Sequence, residues 1–108
     1  MRSKGNVFIN ADDLYQGKTA KIVYNGSLSK SAGADVYIHL GFGMMWDNLT
    51  EIKMTKTNEG FVAEVPMAKA DSINFCFRDG SNNWDNNACK NYSYAISKPK
   101  MIKATAET

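Results

Sequence analysis

Apolar side chains return at every second residue in one segment after another. Val36, Ile38 and Leu40 alternate with Tyr37 and His39, and Ile73, Phe75 and Phe77 alternate with Asn74, Cys76 and Arg78. Phe61, Ala63 and Val65 form a third row of the same kind. Successive side chains of an extended strand point to opposite faces, so this period sends one row of each segment into a core and the other toward solvent. Thr50 to Lys56 alternates Ile52 and Met54 with Lys53 and Thr55, and Thr57-Asn58-Glu59-Gly60 then supplies the turn of a hairpin. Thr19 to Tyr24 reads as a strand closed by Asn25-Gly26, a pair suited to positive φ, and Ser27 to Ala34 as a polar connection. Tyr92 to Ile96 alternates again and stops before Pro99. No segment sustains an amphipathic helix over three turns, and Ala11 to Gln16 has room for one turn only. Six or seven short strands joined by turns predict an all-β fold, an antiparallel immunoglobulin-like β-sandwich.

The chain has 108 residues, 44% of them hydrophobic, enough for one core. We expect a single domain over residues 1–97. Residues 98–108, KPKMIKATAET, lack a packing pattern and read as a flexible tail or linker. The net charge of +2 resides in that tail, which carries three lysines and one glutamate, so the body is balanced. Displacing counterions from nucleic-acid phosphates needs a concentrated basic face, and none is encoded here. No apolar run approaches the roughly 20 residues of a membrane-spanning helix, and the first residues have no leader-like apolar stretch. Neither nucleic acid nor membrane is expected as a partner. Cys76 and Cys89 are too far apart for a CxxC pair, and the single His cannot complete a zinc set with them. They read as structural, Cys76 as a buried thiol, and the spacing leaves a disulfide between them open.

Chemistry concentrates in two stretches. One is Phe77-Arg78-Asp79-Gly80-Ser81-Asn82-Asn83-Trp84-Asp85-Asn86-Asn87, followed by Asn91-Tyr92, and the other is His39-Leu40-Gly41-Phe42-Gly43-Met44-Met45-Trp46-Asp47-Asn48. A tryptophan among short polar side chains either caps the end of a sandwich or faces solvent as a platform. A pyranose ring has C–H groups on one face and hydroxyls at its edge, so its site needs a flat aromatic surface rimmed by amide, imidazole or carboxylate groups. His39, Trp46, Trp84, Asn86 and Asn87 are those residue types. Asp79, Ser81, Asn83 and Asp85 alternate like the start of a calcium loop, but Trp84 stands where that loop needs Gly and Lys90 where it needs Glu. No cofactor is expected, with a structural calcium of other geometry left open. Asp79 and Asp85 are the carboxylates available to a glycosidase-type pair, yet a small sandwich offers no deep cleft, and a non-enzyme is expected.

The stretches VYIHLGFGMMW and NFCFRDGSNNWDNNACKNY, with KIVYNGSL upstream and a hairpin ending in FVAEVPMA, resemble the starch-binding carbohydrate-binding modules of family 25, with families 26 and 53 as relatives. The resemblance spans roughly Lys18 to Tyr94. Its most specific element is a strand ending in F-x-D-G, then W-D-N-N and N-Y, and H-x-G-x…W is the second. It implies a non-catalytic β-sandwich in which a His and two Trp residues form a platform for α-1,4-linked glucose. Carried over, His39, Trp46 and Trp84 are that platform, with Asn86 and Asn87 bonding the 2- and 3-hydroxyls. Starch, glycogen or maltooligosaccharides are the implied ligands and an attached amylase-type catalytic domain the implied partner, as part of a secreted, extracellular bacterial protein. Met44-Met45 stands where small or polar residues are expected, which points to a Trp46 displaced or partly buried, or packed with Phe42, Met44 and Met45 in a satellite cluster. Arg78 and the cysteines are not accounted for by the family pattern. The reading from another class is an immunoglobulin-like protein-interaction or structural module in which Trp46 and Trp84 are interface anchors. Sequons occur at Asn25, Asn48 and Asn91, and a glycan on Asn48 or Asn91 would crowd the site, which favours a bacterial or unmodified protein.

Overall fold

A computed structural model describes residues 2–4, 6–10, 14–30, 35–87 and 91–98. Among these residues the strands are β1 (Arg2–Lys4), β2 (Val7–Ile9), β3 (Leu14–Tyr15), β4 (Thr19–Tyr24), β5 (Val36–Phe42), β6 (Asp47–Lys53), β7 (Thr55–Thr57), β8 (Gly60–Pro66), β9 (Asp71–Asp79), β10 (Trp84–Asp85) and β11 (Tyr92–Ser97), with one 3-10 turn at Ser27–Lys30. They form a β-sandwich. The first sheet has the order β1-β2-β4-β8-β7 and the second β3-β11-β9-β5-β6, with β10 added beside β9. The pairings are antiparallel apart from β3 with β11, which is parallel.

The alternating rows meet between the sheets. Ala20, Ile22 and Tyr24 of β4 with Phe61, Ala63 and Val65 of β8 face Val36, Ile38 and Leu40 of β5 and Ile73, Phe75 and Phe77 of β9, all buried. Tyr92, Tyr94 and Ile96 of β11 complete that layer. Phe75 stacks on Tyr92 at 5.7 Å and Tyr94 at 5.9 Å, and Phe77 stacks on Tyr24 at 4.1 Å, so the aromatic centre of the core lies behind the strand that carries Arg78. Among the described residues no polar or charged side chain is fully buried.

Among the described residues eleven strands stand where six or seven were expected, with Arg2–Lys4 and Trp84–Asp85 as short strands that the period did not signal, and three further segments depart from the sequence reading. The strand expected over Thr50 to Lys56 is divided, because β6 pairs with β5 in the second sheet and β7 pairs with β8 in the first. Met54 makes the crossing, buried at 4% exposure with its N–H donating to the Val36 carbonyl at 2.8 Å. Alternation survives such a switch because the core lies between the sheets, so period two does not register it. Val7 and Ile9 are fully buried in β2, which pairs with β4, although no strand was expected there. Leu14–Tyr15, placed in a possible helical turn, is a strand with Leu14 buried beside Ile96. The hairpin turn at Thr57–Gly60 and the cores of the other strands lie where the period put them. Cys89, and the tail beyond Lys98, lie outside the described residues.

Candidate functional site

Period two also fixes which side chains leave the core. On the outer face of the second sheet, β5 presents Tyr37 and His39 and β9 presents Asn74, Cys76 and Arg78. Register aligns them in rows: Lys53, Tyr37, Arg78 and Trp84 form one, and Glu51, His39 and Cys76 the next. Trp84 is 47% exposed, and its ring meets His39 edge-on at 5.6 Å and 89°. Trp46 also lies beside His39, at 6.3 Å and tilted by 37°. The three rings that sequence reasoning selected are therefore one cluster. Trp84 starts on β10 and reaches toward β5, so its indole leans across β9 at the level of Cys76. Cys76, opposite His39 in the register, points outward and is only 7% exposed. Burial first, then the charges of Asp85 and Glu51, push its thiol up to about 11, which keeps it protonated and unreactive.

Trp46 reaches the sheet through a tight return of the chain. A β-bulge shifts the β5–β6 register between Leu40 and Phe42, and Gly43 and Trp46 both take left-handed φ, at 70° and 54°. Gly43 is tethered to β9, its N–H donating to the Ser72 carbonyl and its carbonyl accepting from Asn74 Nδ2, each at 2.9 Å. A Cβ on Gly41 would lie 2.7 Å from the Trp46 Cα, so only glycine lets the turn fold back on the sheet. Trp46 is half-buried, whereas Met44 and Met45 are 92% and 83% exposed and Phe42 points into the core. The satellite cluster of Phe42, Met44 and Met45 around Trp46 does not form, because the bulge and the two left-handed residues turn these side chains in different directions.

Trp84 is held by its neighbour. The Asp85 carboxylate accepts hydrogen bonds from the Tyr24 hydroxyl at 2.6 Å, the Tyr92 hydroxyl at 3.1 Å and the Asn87 N–H at 3.2 Å. Tyr24 belongs to the first sheet and Tyr92 to the second, so this latch ties a two-residue strand to both. Burial, together with Asp85, raises both phenols, Tyr92 to about 12. Asp79 closes the turn before Trp84, accepting from the Ser81 and Asn83 N–H groups at 2.9 Å and from Asn83 Nδ2 at 3.0 Å. Those bonds, Asn83 foremost, hold its carboxyl below the ordinary carboxylate value. The alternation of Asp79, Ser81, Asn83 and Asp85 is thus that of a turn and a latch, and among the described residues no three His, Cys, Asp or Glu side chains converge as a metal site. Asn87, at φ 55°, donates through Nδ2 to the Asn91 carbonyl at 3.0 Å, and the Asn86 carbonyl accepts from the Asn91 N–H at 2.7 Å. Both asparagines flank Trp84 and also hold the backbone beside it.

Two side chains that sequence reasoning did not place complete the face. Arg78 reaches over β5 to Glu51 on β6 in a bidentate pair of 2.6 and 2.7 Å, with its guanidinium 4.3 Å from the centre of the Tyr37 ring. The hydrogen bonds from Arg78 draw the Glu51 carboxyl below its ordinary value and raise the arginine in turn. Glu51 Oε2 lies 3.6 Å from His39 Nδ1, a buried nitrogen without a hydrogen-bond partner. Only pairing register reveals this arrangement, since Glu51 and Arg78 are 27 residues apart.

The family model described as a starch/carbohydrate-binding module, family 53, matches residues 20–75, just over half of the chain. The chain belongs to family 53. The match lies with family 53, expected only as a relative, where the motifs read as those of family 25. It covers His39, Trp46, Glu51 and the Gly41 return, and it stops before Trp84 and the asparagines. An alpha-amylase of Clostridium acetobutylicum is 31% identical over 80 residues, covering 72% of this chain and 10% of the amylase. The chain thus spans about a tenth of that relative. No solved structure matches. As a carbohydrate-binding module, it belongs to a class of non-catalytic binding domains.

Proposed function

We propose that the outer face of the second sheet binds α-1,4-glucan, as starch, glycogen or maltooligosaccharide, with His39, Trp46 and Trp84 as the platform and Asn86 and Asn87 at its rim. The observation that carries this reading is the angle between the rings. A coplanar row suits a flat chain such as cellulose, whereas rings inclined at 37° and 89° around one imidazole offer surfaces to a chain that coils. Membership of a starch-binding family and the likeness to part of an amylase support it. On this reading the module holds an attached amylase-type domain on its polymer in a secreted bacterial protein, and supplies no acid, base or nucleophile of its own. An open face buries little of its ligand, so affinity for one module lies on the order of 10 μM to 1 mM, and repeated modules gain by avidity.

The test is a titration of intrinsic tryptophan fluorescence with maltoheptaose, using cellohexaose as the control. A saturable change with the α-linked sugar alone, lost in Trp84→Ala, is the expected result. Silence toward both sugars refutes the reading and favours the alternative, a protein-interaction module with the two indoles as anchors.

A further inference from the structure

The glucan reading leaves Arg78, Glu51 and Tyr37 without a role, yet they occupy the same face. Arg78 stands directly opposite Trp84 across the β9–β10 pairing, and Glu51 directly opposite His39 across β5–β6. To stack on Tyr37 and reach Glu51, the arginine side chain must cross β5 between the rows of Tyr37 and His39. The ion pair therefore runs along the edge of the platform, away from the Trp46 turn and on another side from Asn86 and Asn87. A sugar ring stacked on the Trp84 indole, with His39 meeting it at a right angle, turns one hydroxyl edge toward this pair.

The pair is also built as a site for hydroxyls. Guanidinium carries five N–H donors in a fixed fork. Two go to Glu51 and one to the Asp79 carbonyl at 3.1 Å, leaving two at its outer edge. Each Glu51 oxygen accepts one bond from Arg78 and retains acceptor capacity. A vicinal diol needs a donor for one oxygen and an acceptor for the neighbouring O–H, and this edge has both. The side chains are ordered before a sugar arrives, by the bidentate bond and by the Tyr37 ring beneath, so little conformational entropy is lost on binding. Arg78 and Glu51 retain 22% and 32% side-chain exposure, enough for contact and too little for free rotation.

We propose that Arg78 and Glu51 form a second polar rim of the glucan site, away from the Trp46 turn, and that they bond the hydroxyls of the glucose unit stacked on Trp84. This rests on the platform reading above, which supplies the ring and its position. It makes Arg78 a direct ligand contact, and Glu51 both a contact and the residue that holds the Arg78 fork.

The experiment measures maltoheptaose affinity for the wild type, Arg78→Gln, Glu51→Gln and Trp84→Ala, and follows the Arg78 Nε–H resonance during titration of the wild type. Each rim variant removes one charge-assisted hydrogen bond to the sugar, which corresponds to a loss of about tenfold in affinity. The Arg78 resonance shifts along the same isotherm as the tryptophan signal. Arg78→Lys serves as the second variant where Arg78→Gln proves unfolded, because it keeps an ion pair with Glu51 and loses the fork; it too loses affinity. Wild-type affinity in folded Arg78 variants, with binding lost in Trp84→Ala, overturns the rim and leaves the platform standing. An Arg78 resonance unmoved at saturation overturns direct contact. Absence of binding by the wild type overturns both readings.

Discussion

Replacing Tyr24 by Phe isolates the latch beneath Trp84. The ring remains, and so does its stack on Phe77 at 4.1 Å, so the apolar area removed from water is unchanged. What disappears is a hydroxyl that donates to the Asp85 carboxylate at 2.6 Å and accepts from the Leu28 N–H at 3.2 Å. A bond to a charged group is worth about 1.5–3 kcal/mol, and a part-buried donor deprived of its partner adds up to about 1 kcal/mol when water replaces it imperfectly. The expected loss is about 2–3 kcal/mol, or roughly 10–20 °C in Tm for a domain of this size. Urea unfolding gives the first number and calorimetry the second. Because Asp85 follows Trp84 directly, maltoheptaose affinity should also fall several-fold. The pH dependence provides an internal check. Tyr24 and Tyr92 hold their protons in the fold to higher pH than in the unfolded chain, so their contribution is complete below about pH 10 and is lost as pH rises toward 12. Tyr24→Phe should lose part of this alkaline sensitivity. A destabilisation below about 0.5 kcal/mol would refute the reasoning, since water would then satisfy Asp85 as well as the phenol does.

Gly41→Ala drives a methyl group to 2.7 Å from the Trp46 Cα, and should cost about 1–3 kcal/mol in urea unfolding while weakening maltoheptaose binding; wild-type values for both would mean that the turn yields freely. Met44→Ser with Met45→Ser should leave stability within about 0.5 kcal/mol by chemical denaturation, since both side chains face solvent, and a larger loss would place them in a packed cluster after all. Glu51 titrates below its ordinary value of 4.5, so its contribution to stability is present above that value and is lost as pH falls through the lowered one. Acid unfolding of Glu51→Gln should lack this component, and an acid limb identical to that of the wild type would show that the Arg78 pair adds nothing to stability.

How the residues came to be legible follows from what each signal depends on. Ile73, Phe75 and Phe77 declare their face by alternation alone, because a strand inverts its side chains at each residue whatever surrounds it. The same rule exposes His39, and the Trp84 loop declares itself by composition, with an indole among residues too small and polar to bury it. The chain by itself therefore determined the strand class and the core rows, and put forward His39 and Trp84 as candidates for the site. Pairing was not determined, because period two carries no information about which strand lies beside which. The crossing at Met54, the burial of Val7 and Ile9 and the parallel addition of Leu14–Tyr15 all arise at that level. Register likewise set Arg78 against Glu51 and closed Tyr24 and Tyr92 on Asp85, contacts between residues that share no local pattern. Local chemistry chose the residues of the face, and only the packing of two sheets, which brings distant segments within a few ångströms, decided which of them act together.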